Sequence, residues 1–234
     1  PMYEDTARLS EVIVYKNKQV IWEQAHIRLY GDRITLENGQ GGILLFPFEE
    51  TDAVTVLGRN KMNVYHGGKI YQFKGDKRLF VAGSTWGADE DIILPLIKAN
   101  PDVKFVIAPH EMDEARINNI LSSVKCGAKR YTQCTVDTDF SATQVLVLDT
   151  IGILSSVYGY ASWSYIGGGF GVGIHNTLEA ATFGLPIAFG PKYEKFKEAR
   201  DMVALGAATK VESAEGLSRW FAPLRDDAEY LART

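Results

Sequence analysis

Two regimes of apolar spacing divide the chain near residue 78. Before it come the short runs SEVIVYK, VIWEQAHIRLY, RITLE, ILLFPF, AVTVL, MNVYH and KIYQFK. Their near-alternation of apolar and polar positions is the period of half-buried strands. Asn17-Lys18, Gly31-Asp32, Asn38-Gly39 and Gly67-Gly68 punctuate them, and Asn-Gly or Gly-Gly between such runs signals a hairpin. Strands this closely spaced predict a small antiparallel barrel or sandwich over residues 1–78. One acidic turn, FEETDA, is the exception.

From residue 79 the pattern alternates strands with helices. Leu79 to Ala82 reads as a buried strand, Gly83-Ser84-Thr85 as a turn, and Asp89 to Lys98 as a helix. KFVIAP, VLVLD, WSYI, PIAFGP and TKVE follow as strands. Between and after them lie helices over Met112–Val124, Gly152–Tyr160 and Glu194–Leu205, and a helical region from Ala214. Strand–helix alternation implies parallel pairing, hence an α/β Rossmann-like sheet with helices on both faces, over residues 79–234. Ligands of such sheets sit at the carboxyl ends of the strands, where the strand order reverses.

One stretch concentrates the chemistry. In WSYIGGGFGVGIHNTLEAATFGLPIAFGP the five glycines 167, 168, 169, 171 and 173 strip side chains from the turn after a strand. Backbone N–H groups then approach a ligand closely. His175, Asn176, Thr177 and Glu179 are expected to open a helix whose N-terminus adds positive partial charge, so that strand, loop and helix form a phosphate cradle. Asn176 with Glu179 also fits a capping box, a structural role. The spacing matches neither GxGxxG with a later acid nor GxxxxGK[ST].

Composition narrows the classes. Apolar residues make up 46% and charged residues 23%, ordinary for a soluble domain. A net charge of −4 argues against a dedicated nucleic-acid binder. Cys126 and Cys134, the two cysteines, lack metal-ligand spacing and are too few for a disulfide framework, which suits a reducing cytoplasm. No apolar run approaches the roughly 18 residues a membrane span needs, and no signal peptide is visible. Asp137-Thr138-Asp139 has the form of a DxD metal motif but sits in a polar connector and is read as loop; no metal site is expected.

The motifs FVAGSTW, GGGF, HNTLEAA and GLPIAFGP, continuing into YEKFKEARDMVALGAA, resemble the C-terminal, donor-binding domain of the Kdo transferases. The likeness covers about residues 79 to 215. These are GT-B glycosyltransferases that move 3-deoxy-D-manno-octulosonic acid (Kdo) from CMP-Kdo to lipid A precursors in lipopolysaccharide biosynthesis. The resemblance implies CMP-Kdo as donor substrate, no cofactor, and a place on the cytoplasmic face of the bacterial inner membrane. It also implies an acceptor site and catalytic base on an N-terminal Rossmann-like domain. Nothing in residues 1–78 reads as that domain, so this chain is expected to bind donor but to lack the catalytic base, and its catalytic residues stay unassigned. Residues 1–78 share only strand rhythm with PH- and GRAM-like barrels. A structural or interaction module is the first expectation there. Lipid binding through Lys61, Lys69, Lys74, Lys77 and Arg78, as a peripheral membrane contact, is the second.

Carried onto this sequence, the resemblance gives a set of substrate-binding residues. Ser84 and Thr85 are placed at the donor phosphate or carboxylate, although the same residues suit a helix N-cap. His110 is placed at the nucleotide; Gly168, Gly169 and Phe170 shape the loop; His175 and Asn176 face the phosphate or the Kdo carboxylate. Glu179 accepts from the ribose hydroxyls, a task suited to a carboxylate that takes two vicinal donors. Lys192, or Lys195 in its place, neutralises donor charge. Asp149 and Thr150 match the family's DTxGxL turn, with Ile153 where relatives often carry Glu. A different nucleotide-sugar enzyme of the same architecture, or a non-catalytic lipid- or protein-binding fusion, is the alternative.

Overall fold

The computed structural model describes residues 3–14, 17–56, 61–75, 78–124, 127–135, 138, 140 and 142–226. They form two compact units, Pro1–Arg78 and Leu79–Thr234.

The first unit is one antiparallel sheet of β1 (Tyr3–Val14), β2 (Asn17–Leu29), β3 (Arg33–Glu37), β4 (Ile43–Pro47), β5 (Thr51–Val56), β6 (Lys61–His66) and β7 (Lys69–Gly75). The order is β4-β3-β2-β1-β7-β6-β5. Alternation puts Ile34 and Leu36 of β3 inside with Leu9, Ile27, Val64 and Phe73. Phe46, on edge strand β4, packs edge-on against His66 of β6 and Tyr71 and Phe73 of β7, at 5.4, 4.9 and 5.7 Å between ring centroids. Those strands lie on the far side of the sheet order, so the sheet curls strongly into a barrel-like form. The acidic FEETDA segment contributes one 3-10 turn, Phe48–Glu50. Of the five cations suggested as a basic face, Lys69 pairs with Glu11 at 3.3 Å. Lys77 and the side chains of Lys61 and Lys74 lie outside the described residues.

The second unit is a seven-stranded parallel sheet: β8 (Leu79–Thr85), β9 (Lys104–Pro109), β10 (Ala128–Arg130), β11 (Val145–Val147), β12 (Trp163–Ile166), β13 (Ile187–Phe189) and β14 (Ala208–Lys210). Its order, β10-β11-β9-β8-β12-β13-β14, reverses between β8 and β12. Apart from edge strand β10 this is the doubly wound 3-2-1-4-5-6 arrangement, with the ligand crevice at the β8/β12 switch.

Successive strand residues feed two cores, as a sheet covered on both faces requires. Phe80, Ala82, Phe105, Ile107, Trp163 and Tyr165 pack with helices α1 (Gly87–Ala99), α2 (Glu114–Ser123) and α6 (Ala214–Asp226). Val81, Val106, Ala108 and Ile166 face α3 (Leu154–Tyr158), α4 (Leu178–Ala181) and α5 (Lys197–Ala204).

Three expectations are corrected. Strand β8 runs through Gly83 and Ser84 to Thr85 instead of ending in a turn there. The ladder to β9 slips by one residue at Ser84, whose φ is +54°. The helix after the glycine loop is only four residues, Leu178–Ala181, so it lacks the aligned peptides that give a helix N-terminus its field. Its N-cap is Thr177, which makes no side-chain cap, and the expected capping box is absent. β10 was not anticipated: AKR is three residues long with no apolar period.

Candidate functional site

The carboxyl ends of β8 and β12 are pressed together backbone to backbone. A Cβ on Gly167 would lie 2.1 Å from the Ser84 carbonyl oxygen, and one on Gly169 only 2.6 Å from Gly190 Cα. These two glycines are required by close approach. Gly168 is required by conformation as well, with φ +93°. The carbonyl of Gly168 accepts from the Gly171 amide at 2.9 Å, closing a tight turn. The two amides inside that turn, Gly169 and Phe170, have no acceptor among the described residues. Unpaired amides in such a turn are groups that can donate to an anion. Lys192 holds the far side by its backbone: its amide donates to the Gly169 carbonyl at 2.9 Å, and its carbonyl accepts from Ile174 at 3.3 Å. The Lys192 side chain is exposed.

The loop is pinned from below by Asp89, a residue the sequence marked only as a helix start. Asp89 is fully buried. Its Oδ2 accepts from the amides of Gly168 and Trp86, each at 2.9 Å, and its Oδ1 accepts from the Tyr165 hydroxyl at 2.7 Å. One carboxylate therefore joins the start of α1, the middle of β12 and the glycine loop. Beside it, Glu90 accepts from Thr85 Oγ1 at 2.8 Å and from Arg116 Nη2 at 3.1 Å. Arg116 Nη2 also reaches the Thr85 carbonyl at 3.1 Å. The Thr85 hydroxyl thus donates its one proton to Glu90, and this corrects its assignment as a phosphate donor: its role is to hold the end of β8 against α1. Ser84 remains half-buried at the bulge.

His110 and His175 come together with Trp86. The indole Nε1–H donates to His175 Nε2 at 3.0 Å with the rings only 10° from coplanar. His110 stacks on both, at 4.8 Å from Trp86 and 4.1 Å from His175 between centroids. The Arg116 guanidinium lies 5.6 Å from the Trp86 ring centroid, a cation–π distance. Burial, then the neighbouring His110, push the His175 imidazole below its ordinary pKa.

Asn176 and Glu179 pair as suspected, in a different form. Asn176 Oδ1 caps the Leu178 amide at 3.0 Å, and Asn176 Nδ2 donates to Glu179 Oε1 at 3.0 Å. Glu179 is half-buried. Asp149 is engaged structurally: it accepts from Arg130 and from the Thr132 amide and hydroxyl, at 2.9 and 2.5 Å for the last two. Burial pushes its carboxyl up, but these donors outweigh burial and hold it below the ordinary range. Asp137 and Asp139 lie outside the described residues. Among the described residues no cluster of His, Cys, Asp or Glu is arranged for a metal ion.

The comparisons with known proteins bear on this switch-point site. No family model matches the chain. The 3-deoxy-D-manno-octulosonic acid transferase of Rickettsia typhi is 30% identical over 148 residues, covering 61% of this chain and 32% of the relative. That of Rickettsia bellii is 31% identical over 157 residues, covering 64% and 37%. The chain resembles the Kdo transferases. It spans about a third of the length of these curated relatives. A bifunctional glycosyltransferase/methyltransferase of Fusobacterium nucleatum is 25% identical over 144 residues, 60% of this chain and 22% of its own. Among solved structures, the C-terminal CMP-Kdo binding domain of WaaA from Acinetobacter baumannii superposes with a TM-score of 0.56 at 20% identity. It covers 67% of this chain and 86% of that one. The parallel sheet therefore has the fold of a GT-B donor domain, as the Kdo-transferase motifs implied. No helix among the described residues is long and apolar enough to cross a membrane.

Proposed function

We propose that residues 79–234 form the donor-binding half of a Kdo transferase and hold CMP-Kdo at the β8/β12 switch point. The observation that carries this reading is the turn Gly168–Gly171. Its two inner amides have no acceptor among the described residues, and it is fixed by the buried carboxylate of Asp89. The Gly169 and Phe170 amides take the donor phosphate and Glu179 takes ribose hydroxyls. In this reading Ser84, His110, His175 and Asn176 meet the sugar and its carboxylate. Fixed N–H dipoles aimed at the phosphate favour its growing charge as the glycosidic bond breaks, the usual source of most of the rate in such a step.

In this reading the acceptor is a lipid A precursor, bound by parts of the enzyme beyond the third of the relatives' length that this chain spans. The setting is lipopolysaccharide synthesis at the cytoplasmic face of the inner membrane. The function assigned to these 234 residues is donor binding, with transfer left to the acceptor side.

Calorimetric titration of CMP, UMP and GMP into the wild-type chain and Glu179→Ala tests it. CMP is expected to bind selectively, and loss of hydrogen bonds to a charged group should cost about 1.5–3 kcal/mol each. Preference for UMP or GMP would transfer the site to another nucleotide-sugar enzyme of the same architecture. No nucleotide binding by the folded chain would sink the reading.

A further inference from the structure

Tyr158 ends α3 and is 1% exposed. Its phenolic oxygen nevertheless has no hydrogen-bond partner among the described residues. A buried tyrosine hydroxyl ordinarily finds one. Fully enclosed side-chain oxygens without a partner are confined, among the described residues, to Thr177 Oγ1. Tyr158 Oη therefore keeps an opening to the outside. Its position is fixed by Gly83: a Cβ there would lie 2.0 Å from Tyr158 Oη. The hydroxyl thus sits directly over the carboxyl end of β8, where Gly83 pairs with Ile166 of β12. It is an unfilled donor beside the β8/β12 switch point of the sheet.

Glu179 supplies the complementary half. One of its oxygens accepts from Asn176, and the other has no partner among the described residues. Helix α3 packs against α4, and Tyr158 shares a buried cluster with Ala180, the chain neighbour of Glu179. Burial first and the Glu179 charge second hold the phenol protonated, as a donor, well above the ordinary tyrosine range. The two groups do not bond each other. A phosphate would suit the phenol but be repelled by Glu179; an ammonium would suit Glu179 but has no acceptor for the phenolic proton. A sugar hydroxyl accepts from one and donates to the other, and a vicinal diol does both without strain.

We propose that Tyr158 is a specificity-determining residue of this site, donating its hydroxyl proton to a ribose diol whose own protons go to Glu179. This rests on the nucleotide-donor reading above and adds a residue to it. Gly83 is bare so that the phenol can reach the crevice.

The test is calorimetric titration of CMP and 2′,3′-dideoxy-CMP into the full chain and its Tyr158→Phe variant, which keeps the ring and removes only the oxygen. Wild type should prefer CMP. Tyr158→Phe should lose about three- to tenfold in CMP affinity and bind the dideoxy nucleotide as wild type does. Equal CMP affinity in variant and wild type would overturn the proposal and leave the nucleotide reading standing. So would an equal loss for both ligands, which would mark a change of site shape. No CMP binding by the wild type would remove the nucleotide reading and the proposal together.

Discussion

Trp86 and His175 lie edge to edge, with the indole Nε1–H donating to His175 Nε2 over 3.0 Å. Indole nitrogen is a donor only, so His175 Nε2 must be unprotonated and the ring neutral, with its proton on Nδ1. The bond spans the turn after β8 and the end of the glycine loop, and it exists only while His175 stays uncharged.

The first prediction concerns pH. His175 is pushed below its ordinary value by burial and by His110. Well above the unfolded value of about 6.5 the folded and unfolded chains both hold it neutral, and its contribution to stability is fully present. As pH falls from there, the unfolded chain takes up the proton first, so stability drops until pH has passed the lower folded value. Thermal melts at pH 7.5 and 5.5 should show a larger loss for wild type than for His175→Gln, which keeps an acceptor but cannot charge. Equal losses would mean that His175 does not carry the effect.

Asp89 gives the second. Asp89→Asn replaces one acceptor oxygen by an NH2 group facing a donor, and Asp89→Ala leaves two amides and a phenol unpaired in the interior. Each abandoned buried donor costs about 1–3 kcal/mol. Asp89→Ala should therefore fall well below Tyr165→Phe, which removes a single hydroxyl with its bond. Urea denaturation measures the order, and a Tyr165→Phe loss as large as that of Asp89→Ala would show that the loop amide is not held through this carboxylate.

Local features of this site were legible and its long-range ones were not. The buried strand Trp163–Ile166 and the bare loop after it announce themselves in consecutive residues. So do Ile34 and Leu36, two apart in β3 and both buried. Asp89, by contrast, reads as an ordinary acid in a first helical turn. Its actual partners, Tyr165 and Gly168, are 76 and 79 positions away. Tyr158 is one position in the stretch read as a helix over Gly152–Tyr160, and the absence of a side chain at Gly83 reveals where its hydroxyl sits. Asn176 and Glu179 carry capping residue types, which suggest a longer helix than Leu178–Ala181, yet they bond each other through their side chains.

The contact of Gly83 with Tyr158 supplies a third prediction. Gly83→Ala places a methyl 2.0 Å from Tyr158 Oη but 3.1 Å from Cζ. The severest clash is thus with the oxygen, with Leu154 Cδ2 a lesser one at 3.0 Å, and should cost about 1–3 kcal/mol as overpacking. Tyr158→Phe removes that atom. The double variant should be more stable than Gly83→Ala alone, and a double-mutant cycle would show a coupling energy of about 1 kcal/mol or more. Strict additivity would place the phenol elsewhere.

Glu90 and Arg116 decide the last. Their side chains are 5% and 15% exposed and meet at 3.1 Å. Both also grip Thr85, through its hydroxyl and its carbonyl. Arg116→Met leaves Glu90 an uncompensated buried charge and should cost about 3–5 kcal/mol. The loss should be partly recovered by adding Glu90→Gln, since a neutral amide needs no counter-ion and still accepts from Thr85. Ion pairs removed from water are often no more stabilising than apolar replacements. The triad's value then lies in fixing Thr85, and with it the bulge at Ser84, against α1. If so, the double variant should regain most of its stability to urea yet bind CMP more weakly than wild type. Full recovery of both would mean that the bulge is held by its ladder to β9 alone.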